Sequence, residues 1–243
     1  MIRLIFIIIV LLLFAIFSIP MYLIQFIVGK INPNMQFRIA QIVARNTFKI
    51  ILFFAGTKKT ILGIENVPKE EAVLYVANHR SYFDIVLAYS TVPTLTSFVA
   101  KKEIEKVPCL RTWMRYLKCL FLDRENVREG LKTILQGIEQ MKSGYSIFIM
   151  PEGTRCDDTD MLPFHEGSFK LAEKSDCAIV PIAMTNVDKI YEVQAPFVRK
   201  AHVTVKYGEP IYMKNLTPEE KKHIGVYTRD VIKKMLDEIE KSI

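Results

Sequence analysis

The chain has 243 residues, half of them hydrophobic, with 11% aromatic and 24% charged side chains. Those values exclude intrinsic disorder, a collagen and a disulfide-stapled miniprotein, and suit one domain with an appendage. The net charge of +7 sits entirely at one end: seven Lys or Arg and no acid precede Glu65, and from there on the two signs balance at 26 each. A neutral body argues against nucleic acid as a partner. A basic, apolar end points instead to the anionic surface of a membrane. The four cysteines, Cys109, Cys119, Cys156 and Cys177, form no C-x-x-C pair and no zinc spacing with His. No metal is expected, and scattered thiols suit a reducing compartment, hence a catalytic face turned to the cytosol.

Residues 4–28 are apolar almost without interruption. As a helix they would reach roughly 38 Å, enough to cross a bilayer. The run is too long for the core of a signal peptide and lacks a small-x-small cleavage site. Residues 36–55 read as a second helix. Arg38, Gln41, Arg45 and Lys49 fall within about 80° of one another at helical spacing, a narrow basic stripe on a greasy cylinder. That pattern suits the lipid interface, with the cationic heads reaching into the headgroups.

After Gly56 the texture changes to strands alternating with helices. Thr60–Ile64, Ala72–Ala77, Ser97–Ala100, Cys119–Leu122, Ser146–Met150, Ala178–Thr185 and His202–Tyr207 read as strands. Ser81–Ser90, Arg111–Tyr116, a helix capped by Asn126 and running to Lys142, and Ser168–Lys174 read as helices. Thr217-Pro218-Glu219-Glu220 is a capping box that opens a last helix to Lys241. The expectation is an α/β fold with a mostly parallel mixed sheet flanked by helices. It comprises residues 57–243 and follows an N-terminal two-helix membrane-associated segment, 1–56.

Three segments carry chemistry. Asn78-His79-Arg80-Ser81-Tyr82-Phe83-Asp84 follows a buried strand and opens a helix, where α/β proteins place their ligand sites. Residues five apart in one helix cannot touch. His79 must therefore lie in the loop, with Asp84 reaching back to fix its tautomer and stabilise its charged form. Met150-Pro151-Glu152-Gly153-Thr154-Arg155 again follows a buried strand, with a Gly that permits close approach between an acid and a base. Phe121-Leu122-Asp123-Arg124 ends a strand on Arg, the side chain suited to bidentate phosphate contact. Each segment alone also reads as an ordinary capping loop, turn or surface ion pair. Arg111, Arg115 and Lys118 share a helical face that reads as solvated, or as a docking surface for an acidic carrier. Asp157-Asp158-Thr159-Asp160 lacks the glycine spacing of a calcium loop and reads as solvated. His165, His202 and His223 have no comparable partner.

Together these segments resemble the glycerolipid acyltransferase family, in particular the bacterial-type 1-acylglycerol-3-phosphate acyltransferases. The family's N-H-x-S-x-x-D, F-[IL]-D-R, P-E-G-T-R and V-P-[IV] blocks are similar to Asn78–Asp84, Phe121–Arg124, Pro151–Arg155 and Val180–Ile182, in the same order. The likeness extends over about Leu62–Glu209. It departs at Lys118, where the family usually has Gly, and at His165-Glu166, where Lys often follows the Phe. The resemblance implies an enzyme at the cell membrane that moves a fatty acyl group from acyl-CoA or acyl-carrier protein to the 2-hydroxyl of lysophosphatidic acid. His79 would be the general base and Asp84 its orienting partner. Arg124 and Arg155, and more weakly Lys101, would hold the phosphate, with Glu152, Gly153 and Thr154 shaping the acceptor pocket. A thioester is already activated, so no cofactor or metal is implied. The rivals are the same chemistry on glycerol-3-phosphate or another lysophospholipid and, further off, a membrane-bound esterase. The esterase lacks a G-x-S-x-G elbow.

Overall fold

The structure, a computed structural model, describes residues 1–156 and 160–241. Its centre is a seven-stranded sheet. The strands are β1 (Lys58–Leu62), β2 (Val73–Ala77), β3 (Thr96–Lys101), β4 (Leu120–Leu122), β5 (Ser146–Ile149), β6 (Ala178–Thr185) and β7 (His202–Tyr207). Their spatial order is β1-β7-β6-β2-β5-β3-β4, and every pairing is parallel except β6 with β7. The central β2 is buried at all five positions, so its run Val-Leu-Tyr-Val-Ala has no polar face. That follows from helices covering both sides of a parallel sheet.

One layer contains α3 (Phe83–Thr91) and α4 (Pro108–Tyr116). The other contains α5 (Val127–Lys142), α6 (Lys170–Ser175) and α8 (Ile224–Lys241). Each layer has its own core. Tyr75, Phe98 and Phe148 point into the first, Leu74, Ile147 and Ile149 into the second, as strand alternation requires. The expected final helix is divided: α7 (Pro218–Lys222) carries the capping box, and α8 starts afresh after His223. The break follows from the Glu166 carboxylate, which accepts from the Gly225 backbone N–H at 2.9 Å and caps α8. Strand β1 begins two residues before the expected Thr60, because Lys58 already pairs with His202 of β7. Of the acidic run 157–160, only Asp160 lies within the described residues. It pairs with Arg229 and Lys233 at 3.3 and 3.2 Å.

The two N-terminal helices are α1 (Ile2–Ile31) and α2 (Pro33–Ala55). The chain turns sharply at Asn32, whose side chain accepts from the Asn34 and Met35 N–H groups at 3.0 Å and caps α2. The two helices run antiparallel: Arg3 donates to the Phe54 carbonyl at 3.2 Å, and Gln36 donates to that of Gln25 at 2.8 Å. α1 passes through Pro20 without ending. It is the one helix among the described residues long and apolar enough to cross a membrane. One face is polar and docked. Trp113 donates its indole N–H to Ser18 at 2.7 Å, and Tyr22 donates to the Cys109 carbonyl at 3.2 Å. The other face exposes Ile5, Ile9, Leu12, Ile16, Ile19 and Leu23.

α2 departs from the expected interfacial helix. Half of its polar stripe faces the protein. Gln41, 4% exposed, donates to the Thr94 carbonyl at 2.7 Å and accepts from the Thr96 N–H at 2.9 Å. Arg45 donates to the Val92 carbonyl at 2.5 Å. Phe37, Ala40 and Ala44 enter the same core as Val73 and Tyr75. Spacing alone makes Gln41 and Arg45 look like neighbours of Arg38 and Lys49. The backbone groups left unpaired between α3 and β3 draw them inward instead. Replacing Gln41 by Ala strands the buried Thr96 N–H and takes one of two donors from the Thr94 carbonyl, which keeps the Thr96 hydroxyl. It is expected to lower stability by about 1–3 kcal/mol, measured as the unfolding midpoint in detergent. An unchanged midpoint would mean that this latch contributes nothing.

Candidate active site

Strands β2 to β6 all run the same way, so their carboxyl ends share one edge of the sheet. Every chemistry-bearing segment lies on that edge. His79 follows β2, Lys101 ends β3, Arg124 follows β4 and Glu152–Arg155 follow β5. This is where a parallel sheet opens a crevice for a ligand.

The loop after β2 is built around Asp84, 1% exposed in the first turn of α3. One carboxylate oxygen accepts from His79 Nδ1 at 2.8 Å and from the Arg80 and Ser81 backbone N–H groups at 2.7 Å each. A carboxylate only accepts, so Nδ1 carries the proton and Nε2 is left with its lone pair. Asn78 fixes the start of the loop. Its amide donates to the Met184 carbonyl and accepts from the Met184 N–H, both at 2.9 Å, which pins it to β6.

Glu152 lies elsewhere than expected. Its side chain is buried beneath the loop and does not line the acceptor cavity. One oxygen accepts from the His79 backbone N–H at 2.7 Å and the other from the Leu162 N–H at 2.9 Å. Burial pushes its carboxyl above the usual range, and these two N–H groups oppose that shift by favouring the anion. The Cys156 N–H donates to the His79 carbonyl at 2.9 Å. The segment after β5 thus grips both sides of the His79 peptide.

Beside His79 opens a cavity of about 850 Å³. Its inner walls are apolar: Phe48 of α2, Val86 and Tyr89 of α3, Phe98 of β3, Trp113 and Leu117 near α4. Its mouth is polar and cationic, with Lys101, Arg124, Thr154, Arg155 and His165. Gly153 has φ +79°, and a Cβ there would meet Arg124 Nη1 at 3.0 Å and His165 Nε2 at 3.1 Å. Both reasons favour glycine at this position. Arg124 donates to the Gly153 carbonyl. Arg155 stacks over the Tyr82 ring, 3.6 Å from its centroid, and lies 3.7 Å from the Glu192 carboxylate. The arrangement places a His–Asp pair between a cationic mouth and a greasy interior. It suits an amphiphile with an anionic head.

Lys101, Arg124, Gly153, Thr154 and Arg155 therefore gather at the mouth, while Glu152 supports the loop from below. Of the three basic residues read as one solvated or docking face, Arg115 stays 63% exposed and Lys118 lies beyond the end of α4. Arg115 pairs with Glu105 at 3.2 Å, and Lys118 turns onto the Tyr145 ring at 3.9 Å. Lys118 also has φ +52°, which accounts for the usual Gly at this position. His165, read from sequence as lacking a partner, sits at the mouth. Glu192 gave no signal in the sequence. It is an isolated acid in a short 3-10 turn after β6, 111 residues from the Ser81 it binds.

The profile of the Acyltransferase family matches residues 58–185, more than half of the chain. The chain belongs to that family. Among curated relatives, the "1-acyl-sn-glycerol-3-phosphate acyltransferase" of Saccharomyces cerevisiae is 30% identical over 199 residues, covering 81% of this chain and 64% of the relative. The protein of the same name from Borreliella burgdorferi is 29% identical over 202 residues, covering 83% and 81%. The chain thus spans less than two thirds of the yeast relative. The crystal structure of the 1-acyl-sn-glycerophosphate (LPA) acyltransferase PlsC from Thermotoga maritima superposes with a TM-score of 0.76 over 97% of this chain and 95% of that one. At 23% identity that likeness establishes the fold. The order of the four sequence blocks therefore read the family correctly.

Glu152 touches the backbone of His79, so its loss should disturb the acyltransferase's turnover more than its affinity. Glu152→Gln puts an amide against one of two backbone N–H groups. It is expected to lower kcat roughly 10–150-fold, the cost of a hydrogen bond to a charged group, with acceptor KM nearly constant. Steady-state kinetics over an acceptor series measures both. A rise in acceptor KM at unchanged kcat would return Glu152 to the acceptor pocket.

Proposed function

We propose that this acyltransferase transfers a fatty acyl group from acyl-CoA or acyl-carrier protein to the 2-hydroxyl of 1-acylglycerol-3-phosphate, giving phosphatidic acid. The observation that carries the reading is the 2.8 Å contact between His79 and Asp84 at the polar end of an 850 Å³ apolar cavity rimmed by Lys101, Arg124 and Arg155. A cavity of that size and lining suits an acyl chain. The names of the yeast and Borreliella relatives support the choice of acceptor.

In this reading the cationic rim binds the phosphate and brings the 2-hydroxyl to His79. Nε2 removes the hydroxyl proton while the oxygen attacks the thioester carbonyl, and Asp84 stabilises the imidazolium that forms. Collapse of the tetrahedral intermediate breaks the C–S bond. The imidazolium then returns its proton to the departing thiolate, and the histidine is restored. Arg124 and Arg155 are in place before substrate arrives, one anchored on Gly153 and the other on Tyr82 and Glu192. That preorganisation reduces the entropy lost on binding.

The reading includes a site at the cytosolic face of the cell membrane, with the hairpin of α1 and α2 held in one leaflet. Ser18 and Tyr22 of α1 bond to α4 of the catalytic layer, and Arg3 lies against the far end of α2. α1 is thereby tied to the α3–α4 layer beyond its midpoint and to α2 at its start. Its exposed apolar face is left for the hydrocarbon.

Purified protein offered each acyl donor with a panel of lyso-acceptors tests the reaction; product from lysophosphatidic acid is expected. Formation of free fatty acid without acceptor would favour the esterase. His79→Ala is expected to abolish transfer in a folded protein, and Asp84→Asn to cost about 10²–10⁴ in rate. Arg124→Ala and Arg155→Ala should each weaken kcat/KM for the phosphate-bearing acceptor about 10–150-fold and leave donor use nearly intact. For topology, a Cys placed at Ile2 in a cysteine-free variant should react with an impermeant maleimide from the cytosolic side alone. Labelling on intact cells would establish a crossing instead.

A further inference from the structure

We infer that Glu192 is a positioning residue that, with Tyr82, clamps Arg155 in the orientation that receives the acceptor's anionic head. The inference rests on Arg155 as a phosphate ligand. Three segments distant in sequence meet at this carboxylate. One oxygen accepts from the Ser81 hydroxyl and the other from the Tyr82 backbone N–H, both at 2.7 Å. The second oxygen also faces Arg155 Nη1 at 3.7 Å. The Arg155 guanidinium meanwhile lies 3.6 Å from the centroid of the Tyr82 ring. Glu192 thus holds the start of α3 and orders the ring and the cation together.

The geometry decides between two roles with opposite signs. An acid beside Arg155 subtracts positive potential, so as a purely electrostatic neighbour it weakens the hold on an anion. Removing its charge would then lower the acceptor KM. An arginine side chain has many rotamers to lose, and a ligand that must order it loses affinity. Two features favour the clamp. The Tyr82 ring holds the guanidinium where both residues line the cavity, and Glu192 is 16% exposed against 32% for Arg155, so the acid is the fixed partner. Contact at 3.7 Å is an ion pair without a strong hydrogen bond, which leaves the donors of Arg155 available for phosphate.

The test is a double-mutant cycle read as acceptor KM. Glu192→Gln keeps an oxygen for the Tyr82 N–H and an amide that can meet the Ser81 hydroxyl, so α3 stays capped while the charge is lost. It is expected to raise KM for lysophosphatidic acid about tenfold with donor KM unchanged. It should also reduce the preference for lysophosphatidic acid over an uncharged monoacylglycerol. Tyr82→Leu, which leaves Glu192 untouched, should act in the same direction. In an Arg155→Ala background both changes are expected to have no further effect on acceptor KM. An unchanged or lowered KM in Glu192→Gln, or additive effects in that background, would overturn the clamp. A loss of kcat shared by every acceptor would mark a merely structural role and overturn it as well. A silent Arg155→Ala would refute the phosphate assignment itself, a result distinct from these.

Discussion

A carboxylate buried at the start of a helix organises this protein. Asp84 is removed from water, and its charge must be met by donors close at hand. The chain supplies them from its own loop: two consecutive backbone N–H groups and a ring nitrogen of His79. The helix terminus adds its partial positive charge. Satisfying the anion thereby fixes the path of the loop and the plane of the imidazole. One polar residue on each side completes the frame. Asn78 ties the loop to β6, and Glu152 ties the His79 peptide to the segment after β5. Chemistry and local folding here depend on the same bonds.

The parallel sheet explains why so much of this was legible in the chain. Buried parallel strands read as short apolar runs, and their carboxyl ends are where polar motifs follow. Val73–Ala77 before Asn78 and Ser146–Ile149 before Met150 show the pattern plainly. The five-residue spacing of His79 and Asp84 excluded a shared helix and so located the histidine in the loop. The last two strands in the chain, β6 and β7, matched their expected limits to the residue.

What escaped the sequence is of another kind. Gln41 and Arg45 sit on a helix whose spacing looks interfacial, yet their partners lie in the turn between α3 and β3. Helical periodicity describes which residues share a face, and says nothing of what that face meets. Glu192 is invisible for the same reason: it lies in a single short turn, and its hydrogen-bond donors, Ser81 and Tyr82, lie more than a hundred positions away. Glu152 shows a third limit. A motif that names an acid beside a glycine and an arginine does not tell which of them faces the ligand. The departures at Lys118 and Glu166 became clear only in three dimensions, one lying on an aromatic ring and the other capping α8.

The docking of α1 has a consequence for the order in which the protein is made. Synthesis runs from the amino end, so α1 leaves the ribosome before the sheet. Its partner for Ser18, Trp113, is 95 residues further on, and the partners of Gln41 in α2 are more than 50 further on. Through that interval α1 and α2 have each other but none of their partners in the later part of the chain. An apolar helix of 30 residues in that state keeps a wide face that water solvates poorly. The hairpin is complete in the chain before β2 exists, and the sheet assembles against a surface that α2 already supplies. Folding of the layer that holds α3 and α4 is in this sense templated by the amino-terminal hairpin, and the cavity wall at Phe48 is set down before the strands that complete it.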